Sequence, residues 1–290
     1  MEGEYRYDPL TFSVTDAMKA DYDRLGYVLV RGLLDAEEMK MLHTSLEGPG
    51  GIMDHAFMVD DGLQKQVGLC IWSHPGNDVT GMLARAEKTA RTAELLMGHG
   101  EVYHYHSKVT FKAARSGGSW RWHQDYGYWY NNGCLFPYMC TAYIGYDKSG
   151  KENGGLQILP GSHKAGRVDH DREGGQFGVN EERVQQLAKV CPVMSVELDP
   201  GDALFFDCNL LHKSDANESD RRRWSFLLCY NTKVNNPVKQ HHHPCYTPLD
   251  IVPNSAIKTC TNYTDMTGKE FMNPDTDQTT RYNPNSAVQK

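Results

Sequence analysis

The sequence predicts a mainly β protein, an antiparallel sandwich or barrel with jelly-roll punctuation, behind an α-helical N-terminal part. Three observations predict it. Six short β-rich runs follow Val102, from YHYHSKVTFK through PYMCTAYIGYD, GLQILP, CPVMSVEL and DALFFDCNLL to RWSFLLCYN. Gly, Pro, Asn and Asp separate these runs, as tight turns between short strands require. Before Val102 the apolar residues recur at helical spacing instead.

The first element is a helix in DAMKADYDRLG, where Met18, Tyr22 and Leu25 form one stripe and Gly26 can end it. A short strand, YVLVRGLL, follows. Next, DAEEMKMLHTSLE reads as a helix with Asp35 as N-cap and Met39, Leu42 and Leu46 as its apolar face. Residues 83–96, LARAEKTARTAELL, fit a third amphipathic helix with MGHG as its exit. In the β part, DPGD before Ala203 and SDANESD before Arg221 supply turns between neighbouring strands. The closing stretch, NPDTDQTTRYNPNSAVQK, is polar and reads as an extended or disordered tail. At 290 residues and 32.8 kDa one domain is expected. It spans 1–260, with N-terminal helices over 15–99 and a β core over 102–232, and the tail takes 261–290.

Charge and composition narrow the function. The net charge is −7, and the basic residues are scattered apart from Arg221, Arg222 and Arg223, so no nucleic-acid footprint is expected. MEGEYRYDPL has no basic start followed by an apolar run, and no window approaches the roughly 18 consecutive apolar residues of a membrane span. A soluble, cytoplasmic protein without membrane contact follows; the sequence assigns no oligomeric state. The eight cysteines lie far apart without C-x-x-C pairs, as reduced core thiols do. The sequons at Asn217 and Asn262 read as chance matches without a secretory signal.

His123 and Asp125 carry the chemistry that stands out. At i and i+2 in RWHQDYGYWY they project from the same face of an extended segment, with Gln124 turned away. His212 ends the apolar run DALFFDCNLLH, which can bring it across the sheet. Two imidazoles and one carboxylate on one face of a metal leave other positions open, which suits an iron(II) oxygenase. A structural zinc would want a fourth ligand. An isolated H-x-D is more simply a hydrogen-bonded surface pair, and Arg223 raises it above that reading. This arginine lies eleven residues beyond His212, past a turn and at the head of the strand WSFLLCYN. Its planar fork matches a carboxylate of a dicarboxylic acid better than a lysine would. Arg221 and Arg222 read as solvated charges. The triplet His241, His242 and His243 sits in a turn-rich segment after the last core strand and is assigned no metal.

These residues resemble the phytanoyl-CoA dioxygenase family of iron(II) and 2-oxoglutarate oxygenases, from about Tyr22 to Leu249. The likeness is carried by GYVLVRGLLDAEEM, WHQD, ENGGLQILPGSHKAGR and DPGDALFFDCNLLHKSDANESDRRRWSF. It implies a double-stranded β-helix, a cupin-like jelly roll with flanking helices. It also implies iron(II) held by His123, Asp125 and His212, 2-oxoglutarate anchored by Arg223, dioxygen as oxidant and stimulation by ascorbate. Ser214 matches a co-substrate position, and Thr110, His106 and Trp120 fall where other co-substrate contacts lie. Ectoine hydroxylases carry glutamine where His106 stands. His163 in PGSH implies turn support, not a fourth ligand. Asp125 stands where related halogenases have a small residue, so hydroxylation is implied.

The substrate reading rests on two features. Tyr126, Tyr128, Trp129 and Tyr130 offer aromatic faces for a cationic group, or else pack the mouth of the barrel. Lys108 aligns with a basic substrate contact of the ectoine hydroxylases and suits an anionic head. Together they suggest a small zwitterion, and HQDYGYWYNNG and ENGGLQILPGSH also look like bacterial hydroxylases of 2-aminoethylphosphonate and its trimethylated form. The expected partner is a small molecule: an aminoalkylphosphonate, amino acid or betaine. A long acyl-CoA or other lipid is the alternative substrate, and a non-catalytic jelly-roll binding protein the alternative of another class.

Overall fold

The computed structural model describes residues 2–173 and 176–276. Strand β1 (Glu4–Arg6) is followed by α1 (Asp16–Leu25), which begins where the Thr15 hydroxyl accepts from Met18 N–H and ends on Gly26 at φ 80°. After β2 (Tyr27–Arg31) comes α2 (Ala36–Glu47), opened by a reciprocal cap between Asp35 and Glu38. Both helices follow the stripes read from the sequence.

The helix expected over 83–96 is broken in two. Helix α3 (Val79–Arg85) and helix α4 (Thr92–Met97) are separated by one wide turn, Glu87–Arg91. Ala86 between them is extended, bridged to Val252, with Glu87 N–H donating to the Val252 carbonyl. Lys88 is drawn inward to Glu38 (2.6 Å) and the Leu33 carbonyl (2.9 Å). Tertiary pairing has overridden a good local helix pattern.

The β part then runs in order. Strands β3 (Phe57–Asp60) and β4 (Gln66–Ser73) precede α3, and β5 (Val102–Lys112) follows α4. Next come β6 (Trp120–His123), the one-turn helix α5 (Asp125–Trp129), β7 (Met139–Gly145) and β8 (Leu156–Ile158). The hairpin β9 (His170–Glu173) and β10 (Gln176–Val179) leads into α6 (Glu181–Ala188). Strands β11 (Met194–Ser195), β12 (Ala203–Asp207), β13 (His212–Ser214) and β14 (Arg223–Thr232) complete the core. Helix α7 (Ser255–Thr259) and β15 (Glu270–Phe271) follow.

The major sheet has the order β1-β2-β12-β7-β14-β5-β4-β15, with β3 also on β4, and the minor sheet the order β11-β8-β13-β6. Successive residues of the central strands point to opposite faces. On one face Val28, Ala142, Phe205 and Leu228 pack under α1, α2 and α3 through Met18, Leu42 and Leu83. On the other, Leu29, Tyr143, Leu204 and Leu227 meet Leu156 and Ile158 of the minor sheet. The two facing sheets, of nine and four strands, make the double-stranded β-helix, and its site lies between them.

The sequence reading ended the domain at 260, whereas the structure packs residues 261–276 onto it. Strand β15 pairs with β4, and Phe271 stacks on His55 with ring centroids 3.7 Å apart. The Lys269 ammonium is buried against Asp78 (2.9 Å) and the Pro75 carbonyl (2.6 Å). Residues 277–290 of the expected tail lie outside the described residues. No helix among the described residues is long and apolar enough to cross a membrane.

Candidate active site

The two histidines come from neighbouring strands of the minor sheet. His212 on β13 is the direct cross-strand partner of His123 on β6, and their rings lie 4.1 Å apart. Each Nδ1 faces a backbone carbonyl, that of Arg121 for His123 (2.7 Å) and that of Leu210 for His212 (2.9 Å). A carbonyl only accepts, so each Nδ1 carries the proton and each Nε2 keeps its lone pair free for a metal. Asp125 reaches the same point differently from the extended pair expected. It is the first residue of α5, because the chain turns at Gln124, and Thr141 on β7 donates to its Oδ2 (2.9 Å). Its Oδ1 is left 4.0 Å from His212 Nε2.

One ligand atom from each of the three lies within 4.8 Å of the others. Burial pushes His123 well below its ordinary value, with the neighbouring His212 adding to it, and burial lowers His212 also. Burial pushes Asp125 up, but Lys108, His212, His123 and the Thr141 hydroxyl outweigh it and hold the carboxyl low. Neutral imidazoles beside an ionised carboxylate form the donor set that a divalent metal requires, and the residues therefore fit iron(II).

From the major sheet comes a buried cation. Arg223 opens β14 and is 1% exposed, and its Nη atoms donate to Tyr143 Oη (2.8 Å), Ser225 Oγ (3.1 Å) and the Gly154 carbonyl (3.1 Å). Its Nε has no partner, and among the described residues no carboxylate pairs with it. The ENGG motif explains the Gly154 contact. Gly154 has φ +69°, and a Cβ there would lie 2.3 Å from the Asp215 carbonyl, so only glycine brings this oxygen under the guanidinium. Beside it Lys112, in register with Arg223, donates to Ser214 Oγ (2.7 Å). Burial, then the Arg223 charge, pushes Lys112 well below its ordinary value.

The triad and Arg223 line one pocket, shared by Thr110, Trp120, Ser214, Tyr128, Trp129 and Lys108. Trp120 is the register partner of Ser214. His106 also lines the pocket, but it pairs with Cys229, six residues along β5 from Lys112 and Arg223. That spacing is about 20 Å of strand, which separates His106 from the arginine end of the pocket. Two of the four aromatic residues lie elsewhere. Tyr126 is buried in a cluster with Cys208 and Met139, and Tyr130 is 41% exposed beneath the Arg167 guanidinium at 4.7 Å. On a helical turn only some side chains can face the pocket: Tyr128 and Trp129 do.

Sequence reasoning missed Tyr143, Lys112, Met272 and the inward turn of His242 and His243. Lys112 was within reach, since it continues the alternation of Lys108 and Thr110 on β5. Met272 was hidden by the polar composition around it. His163, by contrast, is tied to the Asp23 carbonyl and packs over Gly26, in keeping with turn support.

Residues 22–225 match the phytanoyl-CoA dioxygenase family. The chain belongs to that family. Among relatives, an L-proline trans-4-hydroxylase of Streptomyces griseoviridis is 28% identical over 81% of this chain and 93% of its own length. An ectoine dioxygenase of Bordetella parapertussis is 27% identical over 87% of this chain and 89% of its own. Among solved structures, apo EctD from S. alaskensis superposes with a TM-score of 0.69 at 23% identity, covering 83% of this chain and 88% of that one. The epimerase SnoN, solved with Fe3+, alpha-ketoglutarate and nogalamycin RO, gives 0.61 at 22% identity, covering 81% and 96%. The fold is thus shared with EctD and SnoN, and the family match makes the chain a member of the phytanoyl-CoA dioxygenase family.

Proposed function

We propose that this dioxygenase hydroxylates a small zwitterionic molecule, an amino acid, betaine or aminoalkylphosphonate, with iron held by His123, Asp125 and His212 and 2-oxoglutarate anchored by Arg223. The observation that carries the reading is the buried, carboxylate-free guanidinium at one end of the pocket that holds the two imidazoles and the carboxylate. Bound iron(II) supplies activation of dioxygen at the expense of 2-oxoglutarate, which leaves as succinate and carbon dioxide.

The chain's own residues do the rest. The Arg121 and Leu210 carbonyls fix the ring orientations, and the Thr141 hydroxyl fixes the carboxylate. Tyr143 and Gly154 hold the Arg223 fork in place for a distal carboxylate, and Thr110, Ser214 and Trp120 line the approach. Tyr128 and Trp129 close the wall near the triad, where their faces suit a substrate cation and exclude water. The named relatives, a proline hydroxylase and ectoine dioxygenases, support a small amino-acid-like substrate.

The test is succinate release with iron(II), ascorbate and 2-oxoglutarate across a panel of amino acids, betaines and aminoalkylphosphonates, with phytanoyl-CoA alongside. Stimulation by a zwitterion is expected. Stimulation by the acyl-CoA alone would overturn the substrate reading.

A further inference from the structure

The chain beyond residue 225, where the family match ends, returns to the pocket twice. His242 and His243 line it from the segment after β14, and Met272 lines it directly after β15. Met272 is carried there by a pinned backbone. Its N–H donates to the Ile71 carbonyl on β4 (2.9 Å), and Glu270 and Phe271 pair with Ser73 and Trp72 of the same strand. Lys269, buried against Asp78, locks the segment from the other side. Gly76, at φ +74°, makes room for it, since a Cβ there would lie 2.3 Å from the Lys269 Nζ. The Met272 side chain, 8% exposed, packs with Leu69, Ile71 and Trp120, and these four form an apolar stretch of the pocket wall.

Another cavity lies behind this stretch. Ser73, Glu270, Phe271, Asn273 and Thr276 line it, and it shares Ile71, His242, His243 and Met272 with the pocket of the triad. The shared residues are the partition between the two spaces. Ile71 is fixed in β4, and the His243 ring is packed on those of His106 (4.6 Å) and Tyr105 (4.5 Å). Met272 is the unbranched, deformable member, whose side chain fills the gap while its backbone stays paired. We propose that Met272 is a specificity-determining residue, which closes the partition and so limits how far the prime substrate extends from the triad. This role deepens the hydroxylase reading above and rests on it. One methylene too many against a packed apolar wall costs roughly tenfold or more in discrimination. Cutting the side chain back joins the two cavities and relieves that limit.

Holoenzyme with iron(II) and saturating 2-oxoglutarate, kept free of oxygen, is titrated by calorimetry with ω-amino acids and ω-aminoalkylphosphonates of increasing chain length. Wild type is expected to bind the short members and to lose affinity sharply beyond one length. Met272→Ala should raise the affinity for the next longer homologue at least tenfold relative to the shorter ones, Met272→Leu should restore the wild-type preference, and Met272→Phe should move the limit to a shorter chain. A segment merely loosened would shift the Ala and Phe variants in the same direction. That result, a wild type without a length limit, or an unchanged limit in Met272→Ala would overturn the proposal. If Met272→Ala fails to fold, Met272→Phe decides by the same criterion. If wild type binds 2-oxoglutarate but no member of either series, the zwitterion reading fails, and if it does not bind 2-oxoglutarate, the hydroxylase reading fails. In both cases acrylamide quenching of Trp fluorescence still decides the partition: joined cavities should raise the quenching constant in Met272→Ala above that of wild type, and equal constants would overturn it.

Discussion

A guanidinium with no carboxylate against it is costly to bury, and Arg223 is held at that cost by one phenol, one hydroxyl and one carbonyl. 2-Oxoglutarate is the proposed partner of this guanidinium. Hydrogen bonds to charged groups contribute about 1.5–3 kcal/mol, so Arg223→Ala should raise the KM for 2-oxoglutarate roughly ten- to hundredfold. The KM for the prime substrate should change far less, and equal effects on both would reject the role. Asp207 offers a test unconnected with catalysis. Burial pushes its carboxyl from 3.8 up to about 7. The folded state therefore holds this proton more tightly than the unfolded chain. The resulting stability is full below about 3.8 and is lost as pH rises through about 7. Asp207→Asn keeps an acceptor for Asn209 N–H. Its melting temperature should fall less than that of wild type across that window, and parallel curves would contradict the assignment. At this scale the candidate ligands were legible because H-x-D, a distant histidine and a spaced arginine are local or countable patterns. Tyr143 was not legible, since a tyrosine in an apolar strand carries no sign of the arginine it will meet.

Elements were legible where their ends are written locally. Thr15, Gly26 and the Asp35–Glu38 cap sit in the sequence where the helices begin or stop. The break at Ala86 was not, because its cause is Val252, far along the chain. The segment 261–276 escaped for the same reason: its composition is polar, and its hold includes one buried pair, Phe271 and Met272, and hydrogen bonds from Ser45 and Val79 to the Tyr263 and Asn262 carbonyls. Lys269→Met removes that pair's cation and leaves the Asp78 carboxylate buried alone, which should cost about 3–5 kcal/mol in urea unfolding. Adding Asp78→Asn, which keeps an acceptor for the Gly81 N–H at the start of α3, should recover most of the loss. A single variant as stable as wild type would show that the segment is not held by this pair.

For the molecule as a whole, the division of labour between sheets matters most. The minor sheet presents His123 and His212, α5 adds Asp125, and the major sheet contributes Arg223, Thr110 and Lys108. The site therefore exists only when both sheets are packed face to face, and metal binding is coupled to the folded state. The jelly-roll class was legible from strand punctuation, but which strands would face one another was set by pairings far apart in sequence. The central claim is that His123, Asp125 and His212 hold the iron. Its most direct test is the iron content of protein reconstituted with iron(II) under anaerobic conditions and desalted, for wild type and for His212→Ala. About one bound iron per wild-type chain is expected, and almost none in a folded His212→Ala variant; equal iron in both would contradict the assignment.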